Sequence, residues 1–220
     1  MACYRTLAVA IGLLAITQLA ISRAAADEAT ELFNGRNLAG WTYHLEKPGV
    51  PMEDVWSAND GVLVCTGQPA GYLMTKQNDF HDYVLTLDWR WPKEGGNNGV
   101  LVHVTKPGEL GVWPKCLEVQ LASGDAGDFW VIGTTIDVAN ADQRRRDRRH
   151  LNLSDDDEKP LGEWNQMEIT CRGDEVLVKV NGKLVNHAKK LSQSKGAIAL
   201  QSEGAPIEFR NIKLKYLRDE

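Results

Sequence analysis

Residues 113–132, WPKCLEVQLASGDAGDFWVI, decide how the chain is read. Leu117, Val119 and Leu121 alternate with Glu118 and Gln120, the period-two pattern of a strand with one apolar and one polar face. The glycine-bearing SGDAGD at 123–128 reads as a tight loop, after which the apolar run FWVI at 129–132 resumes. A carboxylate, an amide, a loop and two aromatics converge within a few residues, and the functional site is expected here.

Working outward, the same period recurs. Tyr83, Leu85, Leu87, Trp89 and Trp91 alternate with Val84, Thr86, Asp88 and Arg90, which predicts a long central strand. GGNNG at 95–99 breaks it, and Val100, Val102 and Val104 then alternate with Leu101 and His103. Asp60-Gly61 and Asn181-Gly182 sit between apolar runs and predict two-residue hairpin turns. Near the C-terminus Ile207 and Phe209 are in phase, whereas Ile212, Leu214 and Tyr216 are shifted by one, which predicts a β-bulge near Arg210 and Asn211. Helical periodicity is missing beyond the N-terminal leader. About a dozen short strands parted by Gly, Asn, Asp and Pro turns, without a repeat, give an all-β fold: a two-sheet antiparallel β-sandwich of jelly-roll type.

Residues 1–26 read as a signal peptide. Arg5 precedes an apolar run, and three alanines at 24–26 offer a cleavage site. The run is short for a membrane span, and no later stretch approaches spanning length. The mature chain, 27–220, is expected to be one exported domain, periplasmic or extracellular, with an irregular charged insertion at about 137–162. With 25 basic against 30 acidic residues the chain is acidic, and the leader carries arginines but no acid. That balance excludes the basic footprint of a nucleic-acid binder. Cys65, Cys116 and Cys171 lie in strand-like runs and read as buried thiols, with a single bridge the other reading. The block RRRDRR at 144–149 and the acids at 155–158 read as a solvated loop whose charges offset each other, or else as an arginine cluster for an anionic ligand. Asn152-Leu153-Ser154 matches a glycosylation sequon.

If the strands at 83–91, 100–104 and 116–121 are sheet neighbours, Asp88, Arg90, His103, Glu118 and Gln120 stand side by side as a cleft floor. Glu118 and His103 each interrupt a strongly apolar strand, and as a pair they suit a general base and its partner, or two metal ligands. The plain reading is the solvated outer face of a sandwich. Paired carboxylates for ordinary glycoside hydrolysis would be Glu118 with Asp88, Asp125 or Asp128. Most tryptophans read as core; Trp113 and Trp130 flank the opening stretch and suit a cleft rim that stacks on a sugar ring.

Several motifs run in order over almost the whole mature chain: LFNGRNLAGW at 32–41, Trp56 with Asp60-Gly61, NNGV at 97–100, LEVQ at 117–120, GEWN at 162–165, VNG at 180–182, GAIALQ at 196–201 and EFRNI at 208–212. Together they resemble the 3-keto-glycoside 1,2-lyase and 3-keto-2-hydroxy-glucal hydratase family, also described as 3-keto-disaccharide hydrolases. The resemblance implies a concanavalin-like jelly roll acting on 3-keto-sugars in the bacterial envelope. It makes Glu118 the base, with His103 as the second catalytic residue. Gln120, Asn98, Arg90, Asp88, Trp113 and Trp130 would contact substrate, and a divalent metal is possible. Ala122 and Ser123 stand where such proteins often carry an aspartate, and His103 stands near their arginine. A noncatalytic carbohydrate-binding module of the same fold is the alternative.

Overall fold

The computed structural model describes residues 29–154 and 157–218, so the expected leader lies outside the described residues. In chain order the strands begin with β1 (Thr30–Glu31), β2 (Trp41–Leu45), β3 (Trp56–Asn59), β4 (Val62–Cys65), β5 (Gly71–Thr75) and β6 (Tyr83–Arg90). Then come β7 (Gly99–Val104), β8 (Cys116–Gln120) and β9 (Phe129–Ile132). The charged segment contributes β10 (Asp137–Val138), a single helical turn α1 (Ala141–Arg144), β11 (Arg145–Arg146) and β12 (Arg149–His150). Strands β13 (Asn165–Arg172), β14 (Glu175–Val180), β15 (Lys183–Lys189), β16 (Ala197–Ser202) and β17 (Ile207–Tyr216) finish the fold.

Two antiparallel sheets result. The first runs β10-β15-β14-β13-β6-β17-β4-β3, with β1 against β17; the second runs β11-β12-β9-β8-β7-β16-β5-β2. Every pairing is antiparallel, as the short turn-separated strands predict. Alternation sorts the faces: Tyr83, Leu85, Leu87 and Trp89 of β6 are buried between the sheets, against Met167, Ile169 and Cys171 of β13, while Val84, Thr86, Asp88 and Arg90 face outward. Trp41 and Phe33 also enter this core, and Trp41 Nε1 donates to the Leu32 carbonyl at 2.9 Å. Among the described residues, no helix is long and apolar enough to cross a membrane.

Local signals in the sequence are realised closely. Asp60 and Gly61 (φ 49° and 82°) turn β3 into β4, and Asn181 and Gly182 (φ 49° and 85°) turn β14 into β15, the left-handed pairs that a type I′ hairpin requires. The β17–β6 register shifts between Arg210 and Lys213, with Asn211 at φ 53°, so the bulge lies where the hydrophobic phase breaks.

Two expectations fail because strand order is not written in the local pattern. Strand β6 lies in the first sheet, whereas β7 and β8 lie in the second, so Asp88 and Arg90 stand on the opposite outer face of the sandwich from Glu118. There Arg90 pairs with Glu208 at 2.6 Å and Asp88 with Arg210 at 3.1 Å. The charged insertion is also less irregular than expected: β11 and β12 form a hairpin that adds to β9 at the edge of the second sheet.

Strands β7, β8 and β16 are buried along their whole length. The two sheets therefore differ. One has an ordinary half-solvated outer face, while the second is covered on both sides at its central strands. Its outer side carries a small apolar cluster of Tyr72, Leu101, Val104, Cys116, Ile132, Ala197 and Ala199, with Trp113 packed on it.

Cys65, Cys116 and Cys171 are free and buried, and burial pushes the Cys65 thiol up to about 11 and that of Cys171 to about 12. All three should resist an aromatic disulfide reagent in the native protein and react after denaturation. Mass spectrometry of the alkylated protein will read this, and rapid native labelling of any of the three would contradict the packing.

Candidate functional site

The central strands of the second sheet build a cavity from alternate residues. Glu118 and Gln120 share the outer face of β8; Leu101 and Gly99 of β7 lie opposite them in register. On the other side of β7, Gln201 ends the outward-facing series Ala197, Ala199 and Gln201 of β16, and Glu203 continues that phase just beyond the strand. The resulting cavity, about 200 Å³, is lined by Asn97, Glu118, Gln120, Gln201 and Glu203, walled by Leu110, Trp113, Trp130 and Ile132, and reached by Arg148.

Gly99 is what lets these side chains meet. A Cβ there would lie 2.7 Å from Glu118 Oε1 and 2.8 Å from Gln201 Oε1, so the carboxylate and the amide occupy the space a side chain would fill. Gln120 Oε1 accepts from the Leu121 and Ala122 amides at 3.0 and 3.1 Å, which orders the start of the 121–128 loop and leaves its NH2 as the end able to meet a ligand. Gln201 is only 1% exposed, and its Oε1 has no partner among the described residues. A buried, unpaired amide oxygen facing a cavity is costly unless something fills the cavity.

Glu118 is 6% exposed, and its carboxyl is pushed up to about 8. Burial is the main cause and the charge of Glu203 adds to it; the Gln201 amide and the Arg148 guanidinium oppose them. Glu203 is half-buried and also raised, by burial, with the Asn97 side chain opposing. Two carboxyl groups thus share a small cavity with a single guanidinium.

Arg148 comes from the block read above as a solvated loop or an anion-binding cluster. The structure separates its members. Arg144 turns inward and donates to the Ala139 and Leu151 carbonyls and to Asn186. Arg149 grips Asp128 and Asp125. Arg148, at the tip between β11 and β12, reaches the cavity and lies over the Trp130 ring, its Cζ 5.3 Å from the ring centre. Glu158, from the acidic block, accepts from the Gly124 and Ala126 amides at 2.8 and 3.2 Å and so holds the 121–128 loop. Asn152 of the sequon donates its amide to the Ala126 carbonyl at 3.0 Å, an internal use of the nitrogen that glycosylation would need.

Of the residues expected from sequence, Glu118, Gln120, Trp113 and Trp130 converge here. His103 does not. The β7–β16 register shifts beside it, and at φ 55° it sits in a bulge that turns its ring into the sandwich, edge-on to Tyr83 with centroids 6.0 Å apart. It is fully buried, which lowers its pKa to about 4, the Gln193 backbone opposing, so the ring is neutral at physiological pH. Asn98 is fully buried too and donates to the Gln201 carbonyl at 2.7 Å, behind the cavity rather than in it. The Glu118–His103 pair expected as base and partner or as two metal ligands is therefore not assembled; among the described residues no group of three or more His, Cys, Asp or Glu could hold an ion. The carboxylate pairs expected for a hydrolase fail likewise, since Asp125 and Asp128 are engaged by Arg149 and Asp88 lies on the other sheet. Sequence reading missed Glu203, Gln201, Asn97 and Arg148. The period-two phase of β16, continued to Glu203, was the available signal for the first two.

Residues 28–215 match the 3-keto-alpha-glucoside-1,2-lyase-like domain. No curated protein sequence matches the chain. Among solved structures it resembles a candidate glycosyl hydrolase from Parabacteroides distasonis, at 21% identity and TM-score 0.64 over 90% of this chain and 97% of that one. It also resembles the Bacillus subtilis carbohydrate-binding module CBM66, at 13% identity and TM-score 0.57 over 82% and 98% of the two chains. The third is Bacillus licheniformis β-glucanase, at 14% and 0.53 over 86% and 98%. At these identities the likeness shows the concanavalin-like jelly-roll fold.

Because the raised pKa of Glu118 reflects an ion that folding disfavours, it also predicts stability. A carboxyl at about 8 when folded and near 4.5 when unfolded contributes stability that is fully present below pH 4.5 and lost as the pH rises through 8. Glu118→Gln should therefore gain on wild type progressively across that window, by an amount on the order of a few kcal/mol at the alkaline end. Denaturant melts at pH 4.5, 6.5 and 8.5 will read it, and parallel curves for the two proteins would mean that Glu118 is not desolvated as described.

Proposed function

The chain belongs to the 3-keto-alpha-glucoside-1,2-lyase-like family, and from that premise we propose that it is an exported carbohydrate-active enzyme that cleaves or hydrates 3-keto-glycosides by elimination across C1 and C2. The observation that carries this reading is Glu118: a desolvated carboxyl on the floor of a sugar-sized cavity, with Arg148 and the Gln120 amide as donors beside it and Trp113 and Trp130 as walls.

The chemistry follows from a ketone at C3. It acidifies the C2 proton, which Glu118 removes. The C2–H electron pair becomes the C1=C2 double bond as the C1–O bond breaks, and negative charge develops on the C3 oxygen on the way. Arg148 and the Gln120 NH2 are the cationic and neutral donors able to stabilise that oxygen, and burial of the cavity floor strengthens both contacts. Addition of water to the resulting 2-hydroxy-enone completes net hydrolysis.

A burial that pushes Glu118 up makes it a stronger base once ionised, at the cost of a smaller ionised fraction at neutral pH.

The test is incubation of purified protein with a 3-keto-glucoside and with the matching unoxidised glucoside. Turnover of the keto compound alone is expected, with kcat/KM rising as the pH approaches 8 and Glu118 ionises. Glu118→Gln should lower it by about 100-fold or more. Binding of either sugar without turnover would overturn the proposal in favour of a binding module, and cleavage of only the unoxidised sugar would replace it with ordinary hydrolysis.

A further inference from the structure

We propose that Glu203 is the acid that protonates the departing C1 substituent, and that the hollow on its far side, formed by residues 67–70 with Glu46 and Lys47, holds that substituent. The inference rests on the elimination reading above and assigns its second proton transfer and second binding subsite.

Glu203 borders two depressions. One is the Glu118 cavity; the other is a wider, open hollow of about 520 Å³ lined by Glu46, Lys47, Gln68, Pro69, Ala70 and Glu203. A ring bound over Glu118 and a group bound in the hollow would meet at Glu203, which places its carboxyl where a glycosidic oxygen must pass from one to the other. The unpaired Oε1 of the buried Gln201, two residues earlier on the same outward phase, also faces the first cavity and awaits a hydroxyl donor.

The hollow is fixed relative to the acid. Gly204 donates its amide to the Gly67 carbonyl at 2.6 Å, and Ser202 Oγ donates to the Pro69 carbonyl at 2.9 Å. Gly67, at φ 83°, lets the two segments touch; a Cβ there would lie 2.4 Å from the Ala205 carbonyl oxygen. The wall of the hollow is thus bonded to the segment that carries Glu203. Its lining bears no aromatic ring, and its functional side chains are Glu46, Lys47, the Gln68 amide and Glu203 itself. Such a surface suits a polyhydroxylated leaving group, a second sugar, better than an aryl one, which would seek a stacking platform.

The step balances. The two carboxyls share one proton, and in the form that carries it on Glu203 the ionised Glu118 takes the C2 proton, Glu203 gives its own to the glycosidic oxygen as C1–O breaks, and the C2–H pair becomes the C1=C2 bond. Glu203, now ionised, is placed to accept a proton from the water whose oxygen adds to C1, while Glu118 returns its proton to C2, which restores both carboxyls.

Three 3-keto-glucosides separate the roles: the methyl glycoside, whose small leaving group needs an acid; the 4-nitrophenyl glycoside, whose leaving group departs as an anion; and a 3-keto-disaccharide. Glu203→Gln should lower kcat/KM for the methyl glycoside and the disaccharide about 100-fold more than for the nitrophenyl glycoside. Gln68→Trp, which puts an indole at an exposed position of the hollow, should shift KM for the disaccharide relative to the methyl glycoside. Equal losses on all three substrates in Glu203→Gln would overturn the acid assignment, and an unchanged KM ratio in Gln68→Trp would overturn the subsite. A wild-type protein inert on all three would instead remove the elimination reading itself, and this proposal with it.

Discussion

The register of three strands, β8 against β7 against β16, is the constraint on which the rest depends. Side chains on a strand alternate with period two, so a slip of one residue in any of these strands would exchange its whole set of inward and outward groups. With Gly99 opposite Gln120, Leu101 opposite Glu118 and Ala199 opposite Leu101, the outward phase gathers Glu118, Gln120 and Gln201, while Val100, Val119 and Leu200 fill the core. The apolar interior therefore polices the polar floor. It also explains why the one irregularity in the set, the bulge at His103, removes a histidine from the floor instead of adding one.

Covering that floor creates its chemistry. A carboxylate on the solvated face of the other sheet finds partners and water: Asp88 meets Arg210 and Asn211, and Glu208 meets Arg90. Glu118 instead lies beneath Trp113, Trp130 and the β11–β12 hairpin, and desolvation dominates its pKa. The insertion that supplies the hairpin is tied down by charge. Asp128, raised by its own burial and held by Arg149 and the Asn152 amide, fixes one end, and Glu158 fixes the 121–128 loop from the other side. Opposite charges a few residues apart in sequence are used here as separate fasteners, and only Arg148 is left to reach the cavity.

This history explains what the sequence made legible. Strand positions, both type I′ turns and the bulge at Arg210 and Asn211 follow from local phase and turn chemistry, and all are in place. Glu118 and Gln120 were legible for the same reason, since each breaks an apolar alternation. Strand order was not legible, because residues 83–90 and 99–104 have similar patterns and nothing local says that they belong to different sheets. That ambiguity misplaced Asp88 and Arg90. His103 was misplaced by a left-handed backbone that alternation assumes away, Asn98 by its position on the inward phase before Gly99. Arg148 was hidden in a run of six charged residues whose members take three different fates.

The contrast between the sheets also bears on where function lies. Polar residues on a sandwich face are ordinary, and the first sheet has a well-formed polar patch in which Arg90 and Arg210 place their guanidinium carbons 4.6 and 4.1 Å from the centre of the Trp164 ring. Asp88, Arg90, Glu208 and Arg210 there are answered by one another, and an approaching sugar would have to displace a cation from the ring. In the second sheet the groups are only partly answered: two carboxyls, each with one amide partner, share one guanidinium, the Gln201 amide oxygen lacks a donor, and the central strands are buried on both faces. Folding has accepted that mismatch in a region otherwise packed like a core. A ligand that brings a hydroxyl to Gln201, an acidic proton to Glu118 and an oxygen to Arg148 would resolve all three at once, which is the physical reason for proposing this cavity, and not the larger polar patch, as the site.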